Sequence, residues 1–197
     1  MSSKPESTLP EHHCLFDTAI GHCGVAWSVR GLTRVQLPEA DRGATERRLR
    51  RGSANPAMGK PPPEVEHVIG MLKSYLAGDR IDLAAVTLDV SGISTFHRTI
   101  YEAARRIGWG QTATYGELAR QAGCPGAARA VGQALGRNPI PIVIPCHRIL
   151  GSGGRLGGFS AFGGTTTKGR LLALEGVHLR DRMPLLPGLL PAQRQRP

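Results

Sequence analysis

Aromatic residues make up only 5% of the sequence, which argues against a surface that holds single-stranded nucleic acid by stacking bases on rings. No apolar run approaches the roughly 20 residues of a membrane span. The polar opening MSSKPESTLPEHH has no apolar stretch of the signal-peptide kind, so an intracellular chain is expected, cytoplasmic or, in a eukaryote, nuclear. Cysteine is scarce too. The four, Cys14, Cys23, Cys124 and Cys146, contain no C-x-x-C pair and are too few for a disulfide framework, so free thiols are expected. GSGGRLGG misses G-x-G-x-x-G because Leu156 replaces the last glycine, and no G-x-x-x-x-G-K-[ST] run exists. Acids are outnumbered, 15 Asp and Glu against 25 Lys and Arg, a formal net charge of +10. That balance points to a polyanionic partner, most simply nucleic acid.

What is present suits a packed α+β protein, with 40% hydrophobic residues. Residues 1–13 read as a flexible lead. From Cys14 to Leu37, short apolar runs split at Gly21, Gly24 and Gly31 predict hairpins. His12, His13, Cys14, His22 and Cys23 fit no zinc spacing; they read as alternating strand residues, and no metal is assigned. Residues 39–50 are charged and helical in part, and 51–63 form a Pro/Gly-rich loop. Pro63 opens a helix with Val65, Val68, Ile69, Leu72 and Leu76 on one face, ended by Gly78. IDLAAVTLDV (81–90) alternates like a strand and closes an N-terminal α/β domain over 14–90.

The second half, 91–178, is expected to be mostly helical. Ser94 or Thr95 caps a helix with Phe96, Ile100, Ala103, Ala104 and Ile107 inward. Thr114 and Glu117 stand at capping-box spacing for the next helix. Cys124-Pro125-Gly126 makes a turn into AARAVGQALG. Two short helices about a tight turn read as a helix-turn-helix, or equally as an ordinary helical hairpin. In NPIPIVIPCHRIL (138–150) the prolines forbid a central strand. The segment reads as rigid and extended, delivering Cys146 and His147 to a fixed place. Neighbouring side chains on extended backbone face opposite ways, so His147 would reach the sulfur through water or a local turn. The bland alternative is that Cys146 is a small buried apolar residue. A last amphipathic helix turns Leu171, Leu172 and Leu174 inward, and 179–197 reads as a flexible basic tail.

TATYGELA (112–119), AARAVGQALGRNPIPIVIPCHRIL (127–150), LGGFS (156–160) and LLALEG (171–176) together resemble the catalytic domain of the O6-alkylguanine-DNA alkyltransferases, the methylated-DNA–protein-cysteine methyltransferases. The resemblance is strong over about 95–177 and thin over 14–90. It implies a ribonuclease-H-like N-terminal domain without that activity, and a winged-helix-like C-terminal domain with a helix-turn-helix that enters the minor groove. It implies direct-reversal repair: O6-methylguanine, and O4-methylthymine with it, is flipped from double-stranded DNA, and its alkyl group passes irreversibly to Cys146, once per molecule. His147 would remove the thiol proton through water, Glu175 would orient His147, and Asn138 would hold the turn before the nucleophile. Tyr115 would push on the phosphate and donate to the leaving guanine. Arg129 would fill the gap left by the base, with Thr114, Tyr115, Ala127 and Gly132 along the DNA. Leu135, Ile149, Phe159 and Ser160 would line the base pocket, with Phe159 standing where many members carry Tyr. A monomer with no cofactor, no nucleotide and no membrane partner is implied. Two rivals are a non-catalytic DNA-binding protein and a cysteine hydrolase using Cys146 and His147.

Overall fold

β1 (His12–Thr18), β2 (Gly21–Ser28) and β3 (Gly31–Gln36) run as an antiparallel meander in a computed structural model that describes residues 11–51 and 57–178. Residues 1–10 of the expected lead and the expected tail from 179 lie outside the described residues. β1 begins earlier than expected: His12 and His13 pair with Trp27 and Ala26. Gly21 and Gly31 open β2 and β3 directly after the turns, with φ of +121° and +137°, a region costly for any residue with a Cβ. Gly24, expected to break the run, instead lies inside β2. A Cβ there would stand 2.6 Å from Leu49 Cδ2 and 2.9 Å from Leu15 Cδ2, so its role is close packing rather than turning.

α1 (Arg42–Leu49) starts at Asp41, whose side chain accepts from Ala44 N–H at 2.7 Å. A short strand, β4 (Ala57–Met58), which the Pro/Gly composition concealed, pairs in parallel with β1 and completes the order β3-β2-β1-β4. α2 (Pro63–Leu76) buries Val65, Leu72, Tyr75 and Leu76, and Gly78 follows with φ +100°. The alternation at 81–90 does not produce a strand. It forms turns with a single bridge, Leu32 to Leu88. Arg105 Nη2 donates to the carbonyls of Leu83, Ala84 and Val86, while Thr87 O and Asp89 N–H pair with Leu32, so acceptors at 83–86 face a guanidinium rather than a neighbouring strand.

α3 (Thr95–Arg105) is capped by Ser94 and buries Ile100, Ala103 and Ala104 as expected, with Tyr101 beside them. Phe96 does not join them and is 39% exposed. Helical side chains lean toward the N-terminus, so a residue in the first turn overhangs the end of the packed stripe. β5 (Ala113–Thr114) pairs in parallel with β6 (Ile149–Leu150). α4 (Tyr115–Gln121) has the Thr114–Glu117 capping box, and α5 (Ala128–Gly136) packs against α3 and α4. α6 (Thr165–Leu174) buries Leu171 and Leu172, with Leu174 partly covered. The halves meet directly: Val35 N–H donates to Pro139 O at 3.0 Å. Among the described residues, no helix is long and apolar enough to cross a membrane.

Candidate active site

The proline-framed segment turns at the point where it was expected to stay extended. Cys146–Arg148 form one turn of 3-10 helix, with Cys146 N–H on Ile144 O at 2.8 Å and Arg148 N–H on Pro145 O at 2.9 Å. Three residues per turn send three consecutive side chains about 120° apart. Cys146 therefore faces a cleft, while His147 and Arg148 point into the protein. Asn138 clasps the segment. Its Oδ1 accepts from Ile140 N–H at 2.9 Å, and its Nδ2 donates to Ile144 O at 2.8 Å and to Cys146 Sγ at 3.2 Å. Between the clasped ends Ile142 takes φ +73°, a strained conformation for a β-branched residue that the surrounding bonds enforce.

Behind the sulfur lies a buried polar group. His147 Nε2 meets Glu175 Oε1 at 2.8 Å, with both side chains fully buried. Arg148 grips the same carboxylate with Nε at 2.9 Å from Oε2 and Nη2 at 2.8 Å from Oε1, and its Nη1 donates to Ile107 O. Tyr75 of α2 adds its hydroxyl to Glu175 Oε1. Burial alone would raise the Glu175 carboxyl, but donors from His147, Arg148 and Tyr75 bring it down to about 2. A carboxylate on Nε2 fixes the proton there. Nδ1 then carries the lone pair, and it has no hydrogen-bond partner among the described residues. Burial lowers His147, and the neighbouring charges of Arg148 and Lys168 add to this against Glu175, so the ring rests as a neutral base.

Cys146 itself is not a resting thiolate. Burial pushes its thiol up, opposed by the Asn138 bond and the charge of Lys168. Such a thiol becomes a nucleophile only when a base takes its proton. Lys168, on α6, is fully buried, donates to Ile149 O and lies 5.7 Å from the centre of the Tyr115 ring. Burial lowers it to about 8. Lys168, Tyr75 and Arg148 are site residues that the sequence motifs above do not single out. Helical spacing carried the signal: Lys168, Leu171, Leu172 and Glu175 share one stripe, and Tyr75 follows Leu72 by three.

The cleft over Cys146 has a volume of about 790 Å3. Thr114, Tyr115, Arg129, Gly132, Leu135, Phe159 and Ser160 line it together with Cys146. Gly157, with φ +62°, lets its chain pass the Tyr115 hydroxyl, where a Cβ would come within 3.2 Å. Burial and the nearby sulfur raise Tyr115, so its hydroxyl stays a donor at neutral pH. Arg129 is exposed at the mouth and has no ion-pair partner among the described residues. Ile149, expected in the base pocket, and Ala127, expected along the DNA, lie outside the cleft wall. Ile149 is fully buried and does not line the cleft, being tied instead through its carbonyl to Lys168; Ala127 caps α5 one residue outside the wall. A second cleft of about 640 Å3, beside Arg106 and Gln121, contains none of these side chains.

Residues 95–177 match the family model described as 6-O-methylguanine DNA methyltransferase, DNA binding domain. The methylated-DNA–protein-cysteine methyltransferase of Mycolicibacterium paratuberculosis is 47% identical over 110 residues, 56% of this chain and 64% of that protein. The protein of that name from Methanothermobacter thermautotrophicus is 35% identical over 159 residues, 81% of this chain and 82% of that one. Among solved structures, Mycobacterium tuberculosis OGT in complex with DNA superposes with a TM-score of 0.67 at 36% identity, covering 83% of this chain and 92% of that one. The match thus spans a little under two thirds of the mycobacterial relative and most of the archaeal one. With a relative 35% identical matched over 82% of its length and a solved structure 36% identical matched over 92% of its own, the chain belongs to the methylated-DNA–protein-cysteine methyltransferase family.

Proposed function

We propose that this chain reverses O6-alkylguanine damage in double-stranded DNA by taking the alkyl group onto Cys146, once per molecule. One observation carries the reading: Cys146 opens onto a cleft shared with Arg129 and Tyr115, while a neutral imidazole with a free Nδ1 stands behind it on a buried carboxylate. A duplex hides the O6 substituent, so the base must leave the stack, at a cost of a few kcal/mol. Arg129, exposed on α5 at the mouth, is long enough to enter the gap and donate to the orphaned partner base.

His147 takes the Cys146 proton through water, and Glu175 stabilises the imidazolium that forms. The sulfur attacks the alkyl carbon; the S–C bond forms as the C–O bond breaks, and the electron pair stays on O6. The guanine leaves as an anion and is neutralised by a proton donated through the Tyr115 hydroxyl. In sum, sulfur exchanges hydrogen for alkyl and guanine exchanges alkyl for hydrogen, with no co-reactant. The thioether does not hydrolyse readily, so the molecule is spent.

The same reading assigns 14–90 to a ribonuclease-H-like domain, which the meander with a parallel edge strand supports. It assigns 91–178 to a winged-helix-like domain, which the α4–α5 pair supports. It includes O4-methylthymine as a second substrate, a monomer, no nucleotide cofactor, and binding dominated by phosphates and therefore salt-sensitive. The test is incubation with a duplex carrying O6-methylguanine, followed by intact mass and peptide mapping. The expected result is one added methyl, on the peptide holding Cys146; a methyl on any other residue overturns the assignment.

A further inference from the structure

Glu175 receives more donors than orienting one histidine requires. Its Oε1 takes His147 Nε2–H at 2.8 Å, Arg148 Nη2 at 2.8 Å and the Tyr75 hydroxyl; Oε2 takes Arg148 Nε at 2.9 Å and Gly110 N–H at 3.3 Å. Tyr75 is the donor that comes from the first half of the chain. It sits on α2, is fully buried, and packs edge-on against Trp109 with ring centres 5.2 Å apart. Its oxygen also lies 3.1 Å from His147 Nε2, so one hydroxyl touches both partners of the histidine–carboxylate pair.

We propose that Tyr75 is a positioning residue for alkyl transfer, by which the N-terminal half fixes the ring and restrains the basicity of His147. This rests on His147 being the base that serves Cys146. Donors on one oxygen divide its negative charge. With the Tyr75 hydroxyl in place, Glu175 pulls less strongly on the His147 proton, and the ring loses its added proton more readily. Every charged or titratable group facing the ring fits that account. Arg148 on the same turn and Lys168 from α6 disfavour the imidazolium, Glu175 after α6 favours it, and Cys146 and Tyr75 are neutral at rest. The hydroxyl also limits the tilt of the imidazole, which stands 68° to the Tyr75 ring.

Tyr75→Phe in the full chain keeps the ring and removes only the hydroxyl. Methyl transfer from an O6-methylguanine duplex is expected to slow roughly 3- to 10-fold below neutral pH, a part of the ~10²–10⁴ that a general base contributes, with DNA affinity unchanged. Without its hydroxyl the carboxylate holds the imidazolium more tightly, so the acid limb of the pH–rate profile moves to higher pH. Nitrogen NMR of the His147 ring reads the same change without any transfer, as a titration displaced upward. Leu72→Ala, one turn away on α2, loses packing alone and is expected to lower stability while leaving limb and titration in place. A Tyr75→Phe protein with wild-type limb and titration overturns the proposal, as does an equal displacement in Leu72→Ala. If the wild-type chain accepts no methyl yet the titration still moves in Tyr75→Phe, the coupling stands and the repair reading falls.

Discussion

Each half of the chain holds one buried thiol, and the two share a first property and little else. Cys23, on β2, is 1% exposed, and Cys146 is 7% exposed. Burial raises both, Cys23 to about 11. The polar side chain at Cys23 is Thr18, its Oγ1 3.7 Å from sulfur, and both thiols border the hydrophobic core. Cys146 has the amide of Asn138, the charge of Lys168, a neutral imidazole on the adjoining residue and a cleft about 790 Å3 in volume. Burial therefore does not separate an inert thiol from a nucleophile. On the proposed reading, a cleft open to the sulfur, an imidazole beside it and a nearby positive charge separate them.

The largest expected effect removes one member of that comparison. Cys146→Ser is expected to abolish transfer, with no added methyl by intact mass, while DNA affinity in a shift assay stays within a few fold. Cys23→Ser is expected to transfer at the wild-type rate and to lower stability by roughly 1–3 kcal/mol in denaturant unfolding, because a hydroxyl replaces sulfur in an apolar site. A methyl mapped to Cys23 would erase the contrast.

Glu175→Gln comes next. It leaves Arg148 buried without its carboxylate and His147 without the group that fixes its tautomer. A loss of roughly 3–5 kcal/mol is expected in unfolding, and transfer is expected to fall by a factor on the order of 10² in single-turnover kinetics. The same carboxylate sets an acid window. Its folded pKa of about 2 lies below its ordinary 4.5, so its stabilisation is complete above 4.5 and is lost as pH falls toward 2. Acid titration followed by circular dichroism should show that loss in the wild type and not in Glu175→Gln.

The run around Cys146 and His147 was legible as a rigid, proline-framed segment, whereas the part given to Glu175 came from the family resemblance alone. The part given to Asn138 also came from the resemblance, while the Thr114–Glu117 capping box was legible because both of its residues lie in one short run. Contacts across the chain were not. Tyr75 stands 72 residues from His147 and 100 from Glu175, and on α2 it reads as one more core aromatic. Lys168 reads as a solvated helix lysine unless its place on the Leu171–Leu172 stripe is noticed. The predicted strand at 81–90 is reduced to the Leu32–Leu88 bridge, and the carbonyls at 83–86 face Arg105, more than a dozen residues away, a contact that alternation cannot reveal. The turn at Cys146 was hidden because proline excludes a ladder without choosing between extended chain and a 3-10 turn.

Arg129→Ala tests the mouth of the cleft. Transfer is expected to fall roughly 10-fold or more, since nothing fills the stack when the base leaves. The salt dependence of binding to undamaged duplex is expected to change by less than one phosphate contact, about 0.9 in the log–log slope. An equal loss in both would make Arg129 an ordinary phosphate contact.

The smallest effect is the most discriminating for the thiol itself. Asn138 does two things: it clasps the Ile140–Ile144 loop and it donates to Cys146 Sγ. Asn138→Ala removes both, and a loss of roughly 1–3 kcal/mol with severalfold slower transfer is expected. Asn138→Asp keeps the acceptor for Ile140 N–H but puts negative charge where the donor to sulfur stood. That charge opposes the thiolate, so Cys146 titrates higher still, and the alkaline rise in its reaction with a small alkylating reagent moves to higher pH than in Asn138→Ala. If the two variants titrate alike, the Asn138 bond to sulfur matters only for holding the loop, and Lys168 and His147 alone distinguish the cleft thiol from the one on β2.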